Sequence, residues 1–291
     1  KDGESTTLRV KALALSGGRR ALELQIRQGG TLCTAEKYDV DISGAGYYSG
    51  DPHSHSVYSD GTDTLEENAA AAYGTKQASW VWATEHNNAA QSADTQAITQ
   101  SYGGSFLHLS GTELTTGYTH NPSTPSGQAR GHALVYGYDG VPRLIIDQKG
   151  GEYDWQACID ELTGKGALMY LAHPFDSSYP FENAYAWSGY TGVEVWNGSV
   201  HASHENSRKA FRLWDQKNME GTQRYYGTAG TDAHSSEKVA GLGLCGYLEE
   251  LSSDELMHML RSGGFYGSNG PELRFSVGGT AMGSQLTLAQ T

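Results

Sequence analysis

The pattern of apolar and polar positions changes at about residue 47 of this 291-residue chain. Before that point, residues 7–13 and 21–26 alternate between apolar and polar side chains, which is the period of a half-buried strand. After it, short apolar runs of strand length alternate with stretches of helical period, as in α/β proteins with a parallel sheet. Strands are expected at residues 79–84, 105–111, 132–137, 167–172, 192–197 and 225–231, and helices at 89–102, 153–162, 203–217 and 254–261.

This order of elements predicts an α/β barrel with a small β appendage from the N-terminal strands. We divide the chain into an appendage at 1–46, a barrel at 47–268 and a C-terminal β segment at 269–291 that packs with the appendage. Barrels of this class often reach about 250 residues as one unit, so the length allows one large core. The stretch 115–131 contains several Gly and Pro residues and is expected to be a loop over one end of the barrel.

Composition narrows the classes of partner. The formal charge of −13 argues against a nucleic-acid duplex, because phosphate backbones are bound by an excess of Lys and Arg. No stretch reaches the apolar length of a membrane helix. Cys33, Cys158 and Cys245 lie far apart and outside any CxxC pattern, so free thiols are expected instead of disulfides or a thiolate metal site. We expect either a cytoplasmic protein or a secreted or periplasmic one without its leader, and the oligomeric state stays open.

The stretch from Asp51 to Gly61 carries the first candidate chemistry. His53 and His55 lie two positions apart, so in a strand they share one face, and Asp60 follows a short loop later. Two imidazoles and a carboxylate form a ligand set for Zn, Mn or Fe. An exposed histidine pair in a polar loop would have the same sequence, so this motif alone leaves both interpretations open.

Further residues of metal-ligand type fall at boundaries of the predicted strands, most of them at carboxyl ends. Active sites of α/β barrels are built at that end by residues that follow successive strands. Histidines with a purely structural role would not be expected to concentrate at these positions. The residues concerned are His53, His55, His86, Glu113, His132, His173, Asp232 and His234. Together they predict a metal site at one end of the barrel.

The same residues carry a family resemblance. The motifs HxH with a following SDG, TEHN, GTE, HALVYG, AHP and TDAH resemble those of the PHP (polymerase and histidinol phosphatase) superfamily. The GYYSGD sequence before HxH and the EHNN sequence after the second strand are similar to its CehA/McbA-like branch of metallohydrolases. The resemblance covers about residues 47–270 and implies a distorted (β/α)7 barrel with two to three divalent metal ions. Two positions depart from it: Glu85 stands where Asp is usual, and Pro52 where an apolar residue is common.

The resemblance also implies a ligand set for each ion, and all nine ligand positions are filled in this chain. Glu113 would bridge the first two ions. A hydroxide between these ions would be the nucleophile, since divalent cations lower the pKa of bound water, and no Ser or Cys nucleophile is required. The implied sets are His53, His55, Glu113 and Asp232 for the first metal, Glu113, His132 and His173 for the second, and Asp60, His86 and His234 for the third.

Catalytic and substrate contacts are predicted around these metals. Arg130 could form a forked contact with a phosphate oxygen. A lone arginine is more often a solvated surface group, and loop polarity alone also explains the other substrate candidates. The predicted catalytic residues are Glu113, Asp232, His234 and Arg130, and the predicted substrate contacts are Arg130, Tyr118, His120, Asn197 and His201.

We therefore expect a metal-dependent phosphoesterase that hydrolyses phosphodiesters or varied small-molecule phosphoesters. The same site could act on carbon as a carbamate or carboxyl-ester hydrolase, since the resemblance includes carbamate-cleaving members. A loop rich in cations would favour phosphate, but Arg130 is the only Lys or Arg between residues 115 and 131, so both reactions stay open. Outside enzymes, the alternative is a non-catalytic metal-binding PHP module, although such modules tend to lose ligands.

Overall fold

The architecture comes from a computed structural model of the chain. The described residues are 18–116, 131–140, 155–177, 181, 187–198, 204–241, 243–271 and 273–282. The strand predicted at 7–13 and most of the predicted loop at 115–131 lie outside these ranges.

Residues 18–42 form a separate two-stranded antiparallel sheet within the described chain. β1 spans Gly18–Gln28 and β2 spans Thr31–Ile42. Gly29 and Gly30 between them have positive φ values of 56° and 85°, which glycine adopts without steric cost and which suit a tight turn. This hairpin precedes the main sheet, and the domain boundary at residue 46 stays a prediction.

Nine strands form one sheet that nearly closes into a barrel. They are β3 (Gly46–Ser54), β4 (Trp80–His86), β5 (Leu107–Thr116), β6 (Gly131–Tyr136), β7 (Leu168–Ala172), β8 (Gly192–Asn197), β9 (Tyr226–Gly230), β10 (Gly243–Leu248) and β11 (Phe265–Ser268). Their order across the sheet is β11-β10-β3-β4-β5-β6-β7-β8-β9. A bridge between Ser54 and Ala233 brings the end of β3 beside the residues that follow β9.

β6 runs against its neighbours. It pairs antiparallel with both β5 and β7, whereas β3, β4 and β5 are parallel to one another, as are β7, β8 and β9. Thr116 at the end of β5 pairs with Gly131 at the start of β6, as in a hairpin. The parallel arrangement expected from the sequence is therefore wrong at β6. The reversal places the amino end of β6, with His132, at the edge where β5 and β7 end.

Helices cover the outside of the sheet and one end of the barrel. The described ones are α1 (Leu65–Ala70), α2 (Ser92–Ser101), α3 (Trp155–Gly164), α4 (Glu205–Met219) and α5 (Ser253–Ser262). α1 begins with a capping box: the Glu67 backbone N–H donates to the Thr64 hydroxyl at 3.2 Å, and the Thr64 N–H donates to the Glu67 carboxylate at 2.8 Å. α1 continues into a π-helical turn at Ala71–Thr75. Among these helices, none has the length and apolar character needed to cross a membrane.

Two short strands end the described chain. β12 (Ser276–Val277) and β13 (Thr280–Ala281) form a small antiparallel pair. They fall in the C-terminal β segment predicted at 269–291. Its packing with the N-terminal appendage stays a prediction.

Successive side chains of β4 point alternately into the barrel interior and towards the outer helices. Trp80 and Trp82 of β4 pack in the interior cluster, whereas Val81 and Ala83 pack with α1 and α2. α5 adds its apolar face to the interior cluster. Gly137, just beyond the carboxyl end of β6, leaves room for a side chain of α5. Because β6 is reversed, its carboxyl end and α5 lie at the end of the barrel opposite to the carboxyl ends of β3, β5 and β7. The predicted ligands lie at those carboxyl ends, away from α5.

Candidate metal centre

A buried carboxylate holds the end of β3 beside the end of β9. Asp51 accepts hydrogen bonds from the backbone N–H groups of His53 at 3.2 Å and Thr231 at 3.1 Å. It also accepts from the Ala240 N–H at 2.8 Å and from the Thr231 hydroxyl. Burial raises the pKa of Asp51 to about 6, against the lowering effect of these hydrogen bonds. The contacts keep the HxH segment next to Asp232, the residue after Thr231.

Four of the predicted ligands converge in what we call the first centre (His53, His55, Glu113 and Asp232). His53 Nε2 and His55 Nε2 are 3.2 Å apart, and Glu113 Oε2 lies 3.4 Å from the first and 3.1 Å from the second. Asp232 Oδ1 is 3.2 Å from each nitrogen. The two histidines are fully buried, and the Glu113 side chain is 1% exposed. All four ligand atoms therefore lie close enough to one another to bind a single ion.

The other oxygen of Glu113 faces the second centre (Glu113, His132 and His173). Glu113 Oε1 lies 2.7 Å from His132 Nδ1 and 2.8 Å from His173 Nε2. The two imidazole nitrogens are 3.3 Å apart. His132 reaches this position because β6 is reversed, and His173 directly follows β7. The first and second centres therefore share one carboxylate, as the family resemblance implies.

The third centre (Asp60, His86 and His234) lies on the solvent-facing side. Asp60 Oδ1 is 3.2 Å from His234 Nε2, and Asp60 Oδ2 is 3.6 Å from His86 Nε2. The ring of His55 stacks on those of His86 and His234, with centroids 4.6 Å and 4.4 Å away. Asp60 is 55% exposed and His234 38%. His86 is less exposed, and burial lowers its pKa to about 4.

Two predicted ligands have an unusual backbone conformation. His173 and Asp232 have positive φ values of 22° and 52°. This left-handed region costs a residue other than glycine about 1–3 kcal/mol, and such strain concentrates at functional sites. Both residues follow closely the ends of β7 and β9. The strain therefore falls where the chain must turn each ligand into the site.

Burial and charge oppose each other in the first two centres. Burial alone would lower the pKa of His55, but the carboxylates of Asp232 and Glu113, 3.2 Å and 3.1 Å from its Nε2, raise it to about 9. Burial also opposes the charge on His173, whose pKa the hydrogen bond to Glu113 raises to about 9. Conversely, burial favours neutral Glu113 and Asp232, yet the nearby His53 holds the pKa of both carboxyl groups well below the ordinary value. The carboxylates thus favour positive charge among the imidazoles.

The donor set fits divalent cations. Within the described chain, Glu113 Oε2 and His86 Nδ1 are buried without a hydrogen-bond partner. They lie 3.3 Å apart. A buried polar atom without a partner costs about 1–3 kcal/mol, which a bound cation would offset. Imidazole and carboxylate ligands without thiolate suit Zn, Mn or Fe. His86, Glu113 and His132 form a further group of ligand atoms in mutual reach.

Glu194 of β8 is a buried carboxylate that the sequence reasoning misses. Its Oε1 lies 2.9 Å from His53 Nδ1. Its Oε2 accepts from the His173 N–H at 3.0 Å and from the Asn197 side-chain amide at 2.9 Å. The available signal was a Glu in the middle of an apolar strand, because a fully buried carboxylate needs partners.

The predicted substrate contacts are only partly placed. Asn197 Nδ2 donates to Asp232 Oδ2 at 3.3 Å as well as to Glu194, so its amide nitrogen is engaged within the site. A role for Asn197 in substrate binding stays a prediction. The other candidates lie outside the described residues; they are Tyr118, His120, Arg130 and His201.

Glu85, which departs from the family resemblance, supports the loop after HxH. Its carboxylate accepts from the Ser56 N–H at 3.0 Å and from the Ser56 hydroxyl at 2.6 Å. It also accepts from the Ser59 hydroxyl, whose oxygen lies 3.4 Å from His55 Nδ1. Glu85 is therefore connected through Ser59 to His55, a predicted ligand.

Comparison with solved structures identifies the fold. A two-domain protein of Bacteroides vulgatus that contains a predicted PHP-like metal-dependent phosphoesterase is 18% identical with a TM-score of 0.56, over 77% of this chain and 65% of that one. The fold is PHP-like. The chain is also similar to PsfC of Pseudomonas syringae, with a TM-score of 0.51 at 14% identity, over 73% of this chain and 88% of that one. No protein-family model and no curated protein matches the sequence.

The comparison confirms the predicted fold class, a PHP-type α/β barrel. This chain spans 65% of the length of the Bacteroides vulgatus protein, just under two thirds. At such low identity the likeness shows the fold alone. The CehA/McbA-like branch stays a prediction.

Proposed function

We propose that this protein is a metal-dependent phosphoesterase of the PHP superfamily, in its CehA/McbA-like branch. The position of Glu113 carries the proposal: one oxygen faces His53 and His55, and the other faces His132 and His173. A carboxylate between two pairs of imidazoles is an arrangement by which proteins hold two cations side by side.

The comparisons support the class of reaction. The Bacteroides vulgatus protein contains a predicted PHP-like metal-dependent phosphoesterase, and we extend that activity to this chain as part of the proposal. Because one fold can carry several functions, most of the weight rests on the ligand atoms themselves. All nine residues implied as ligands lie among the described residues and face the same end of the barrel.

Each proposed ligand has a role set by its surroundings. When bound, two to three divalent cations would stabilise the negative charge of phosphoryl oxygens and lower the pKa of a bound water molecule. Glu113 and Asp232 balance that charge inside the site. Asp60 and His234 are the exposed ligands, so a substrate meets the third centre first. We also assign His234 a catalytic role there.

Substrate contacts are proposed from the loop and strand ends around the metals. Arg130 can bind a phosphate oxygen through two N–H groups, a geometry that suits a phosphoester better than a neutral ester. Tyr118, His120, Asn197 and His201 complete the proposed contacts. The substrate is a small-molecule phosphodiester or another phosphoester.

A substrate panel tests this function. Metal-stripped protein is assayed with an aryl phosphomonoester, a phosphodiester, a phosphotriester and an aryl carbamate, before and after addition of Mn²⁺ or Zn²⁺. His173→Ala removes a proposed ligand, and His258→Ala removes an exposed histidine of α5 as the matched control. We expect metal-restored phosphodiester cleavage by the wild type and His258→Ala, and its loss in His173→Ala.

The panel also separates the alternatives. Cleavage of the carbamate alone would replace the phosphoesterase with a carbamate or carboxyl-ester hydrolase that uses the same site. Stoichiometric metal binding without turnover of any substrate would indicate a non-catalytic metal-binding module.

A further inference from the structure

Three N–H groups from different parts of the site converge on Glu194. This side chain is fully buried. Its Oε1 lies 2.9 Å from His53 Nδ1, which belongs to the first centre. Its Oε2 accepts at 3.0 Å from the backbone of His173, which belongs to the second centre. The amide of Asn197 donates to the same oxygen at 2.9 Å.

We propose that Glu194 is a positioning residue that links the first centre to the second, an inference that rests on the proposed metal sites. Through Oε1 it keeps Nδ1 of His53 as an N–H donor, so that Nε2 is directed into the first centre. Through Oε2 it holds the strained backbone of His173. Asn197, which donates to Glu194, also donates to Asp232 Oδ2 at 3.3 Å and so connects Glu194 to a third proposed ligand. Carboxylates in this position fix the orientation and tautomer of metal-binding histidines.

The contacts distinguish Glu194 from a metal ligand. It contacts His53 at the ring nitrogen that faces away from the other ligand atoms of the first centre. Among the described residues, the groups of potential ligand atoms in mutual reach do not include it. Both oxygens already accept N–H donors. Its effect on a bound cation would therefore act through His53 and His173.

Gly230 of β9 leaves the space that this carboxylate occupies. A Cβ at Gly230 would lie 2.7 Å from His53 Cβ and 3.0 Å from Glu194 Oε1. A side chain at this position would displace one of the two groups. The local packing of β8 and β9 is thus compatible with the contact between Glu194 and His53 only when residue 230 lacks a side chain.

A carboxylate is the group that satisfies all three donors. Glutamine has nearly the same volume but only one acceptor oxygen. If that oxygen faced His53, the amide NH₂ would face the N–H groups of His173 and Asn197. If the amide were flipped, its NH₂ would face the Nδ1–H of His53. Glu194→Gln therefore breaks at least one contact in either orientation.

Glu85→Gln is the matched control for this substitution. Glu85 is also fully buried in the site region. Two of its partners are the hydroxyls of Ser56 and Ser59, which can rotate to accept a hydrogen bond from an amide. The control therefore tests a buried Glu-to-Gln change without the donor conflict at His53.

The test combines Zn²⁺ titration with NMR of the histidine rings. Metal-stripped wild type, Glu194→Gln, Asn197→Ala and Glu85→Gln are titrated with Zn²⁺ in competition with a chelator. The hydrogen-bonded Nδ1–H resonance of His53 is recorded in the metal-free proteins, where Nδ1 carries the proton whether the ring is neutral or charged. We expect Glu194→Gln to weaken Zn²⁺ binding about 10- to 100-fold. The resonance should shift if the amide oxygen faces His53, because a neutral acceptor forms a weaker hydrogen bond than a carboxylate, and it should be lost if the NH₂ group faces His53. Asn197→Ala should keep the resonance and weaken binding less, and Glu85→Gln should keep the resonance and bind more tightly than Glu194→Gln.

A folded Glu194→Gln protein with wild-type Zn²⁺ affinity and an unchanged resonance would overturn the inference. If Glu194→Gln does not fold, the wild type decides, because a His53 ring without a hydrogen-bonded Nδ1–H would equally overturn it. A wild type that binds no Zn²⁺ would instead overturn the proposed metal sites. The metal-free NMR measurement keeps these two failures distinguishable.

Discussion

The first and third centres use the same kinds of side chain in opposite surroundings. In the first, His53 and His55 are fully buried and the Glu113 side chain is 1% exposed. In the third, Asp60 is 55% exposed and His234 38%. Water can stabilise a charge on Asp60 and His234, whereas the buried groups depend on one another.

The histidine pKa values show what this difference means. Burial pulls the pKa of both His55 and His86 down. The neighbouring carboxylates of Asp232 and Glu113 raise the pKa of His55 to about 9, whereas that of His86 falls to about 4. The carboxylates of Glu113 and Asp232 thus create a site that requires positive charge, supplied by protons when metal is absent.

Glu113→Gln should have the largest effect on metal binding and turnover, because it removes the carboxylate shared by the first two centres. We expect loss of metal from both and a fall in phosphodiester turnover of at least about 100-fold. Metal content by mass spectrometry and turnover are measured on the same samples. Glu161→Gln, which changes a surface carboxylate paired with Lys165, should keep both. Wild-type metal content in Glu113→Gln would contradict the shared ligand.

The pH dependence of metal binding should differ between the centres. His55 and His173 have pKa values of about 9, above the ordinary 6.5, so both carry a proton at neutral pH in the metal-free protein. Each proton that metal displaces makes the apparent affinity rise about tenfold per pH unit until the pH reaches the pKa. His86, with a pKa of about 4, has no such proton to release at neutral pH. Zn²⁺ titrations at about pH 6.5, 7.5 and 8.5 test this, and equal affinity of the tight sites at all three would contradict it.

Asp60→Asn should affect the exposed centre alone. Because Asp60 contacts His234 and His86 from the solvent side, we expect loss of one metal ion, retention of the others and a fall in turnover of about tenfold. Metal stoichiometry per chain is the direct measurement. Asp160→Asn, at an exposed position of α3, is the control. Simultaneous loss of every ion would show that the centres do not bind independently.

His108 provides the smallest test, because among the described residues no carboxylate affects this buried histidine. It is 2% exposed, and burial lowers its pKa to about 4. Above the unfolded pKa of about 6.5 it has no pH effect, but at lower pH the unfolded chain binds the proton first and the fold loses stability. Between about pH 7 and pH 5.5 we expect a loss of about 1 kcal/mol that His108→Leu lacks. Urea unfolding of both proteins checks this, and identical pH dependence would count against it.

The convergence of the proposed ligands could be predicted from the sequence because each belongs to a local motif at the end of a strand. Parallel strands bring such ends to one edge, which places His53, Glu113 and Asp232 together. The direction of β6 could not be predicted, since the alternation of apolar residues is the same in either direction. β10 was also missed, because its glycines are more typical of a loop than of a strand.

The support around the ligands was harder to predict. Glu194 and His53 are 141 positions apart in the chain, so their contact leaves no local pattern. The same holds for Asp51, whose partners Thr231 and Ala240 lie near the opposite end of the barrel sequence. These contacts exist only once β3, β8 and β9 are next to one another.

Anomalous diffraction from crystals grown with Zn²⁺ or Mn²⁺ tests the central claim most directly. We predict one peak bound by His53, His55 and Asp232 and a second bound by His132 and His173, with Glu113 contacting both. Well-diffracting crystals without a peak at Glu113 would contradict the account.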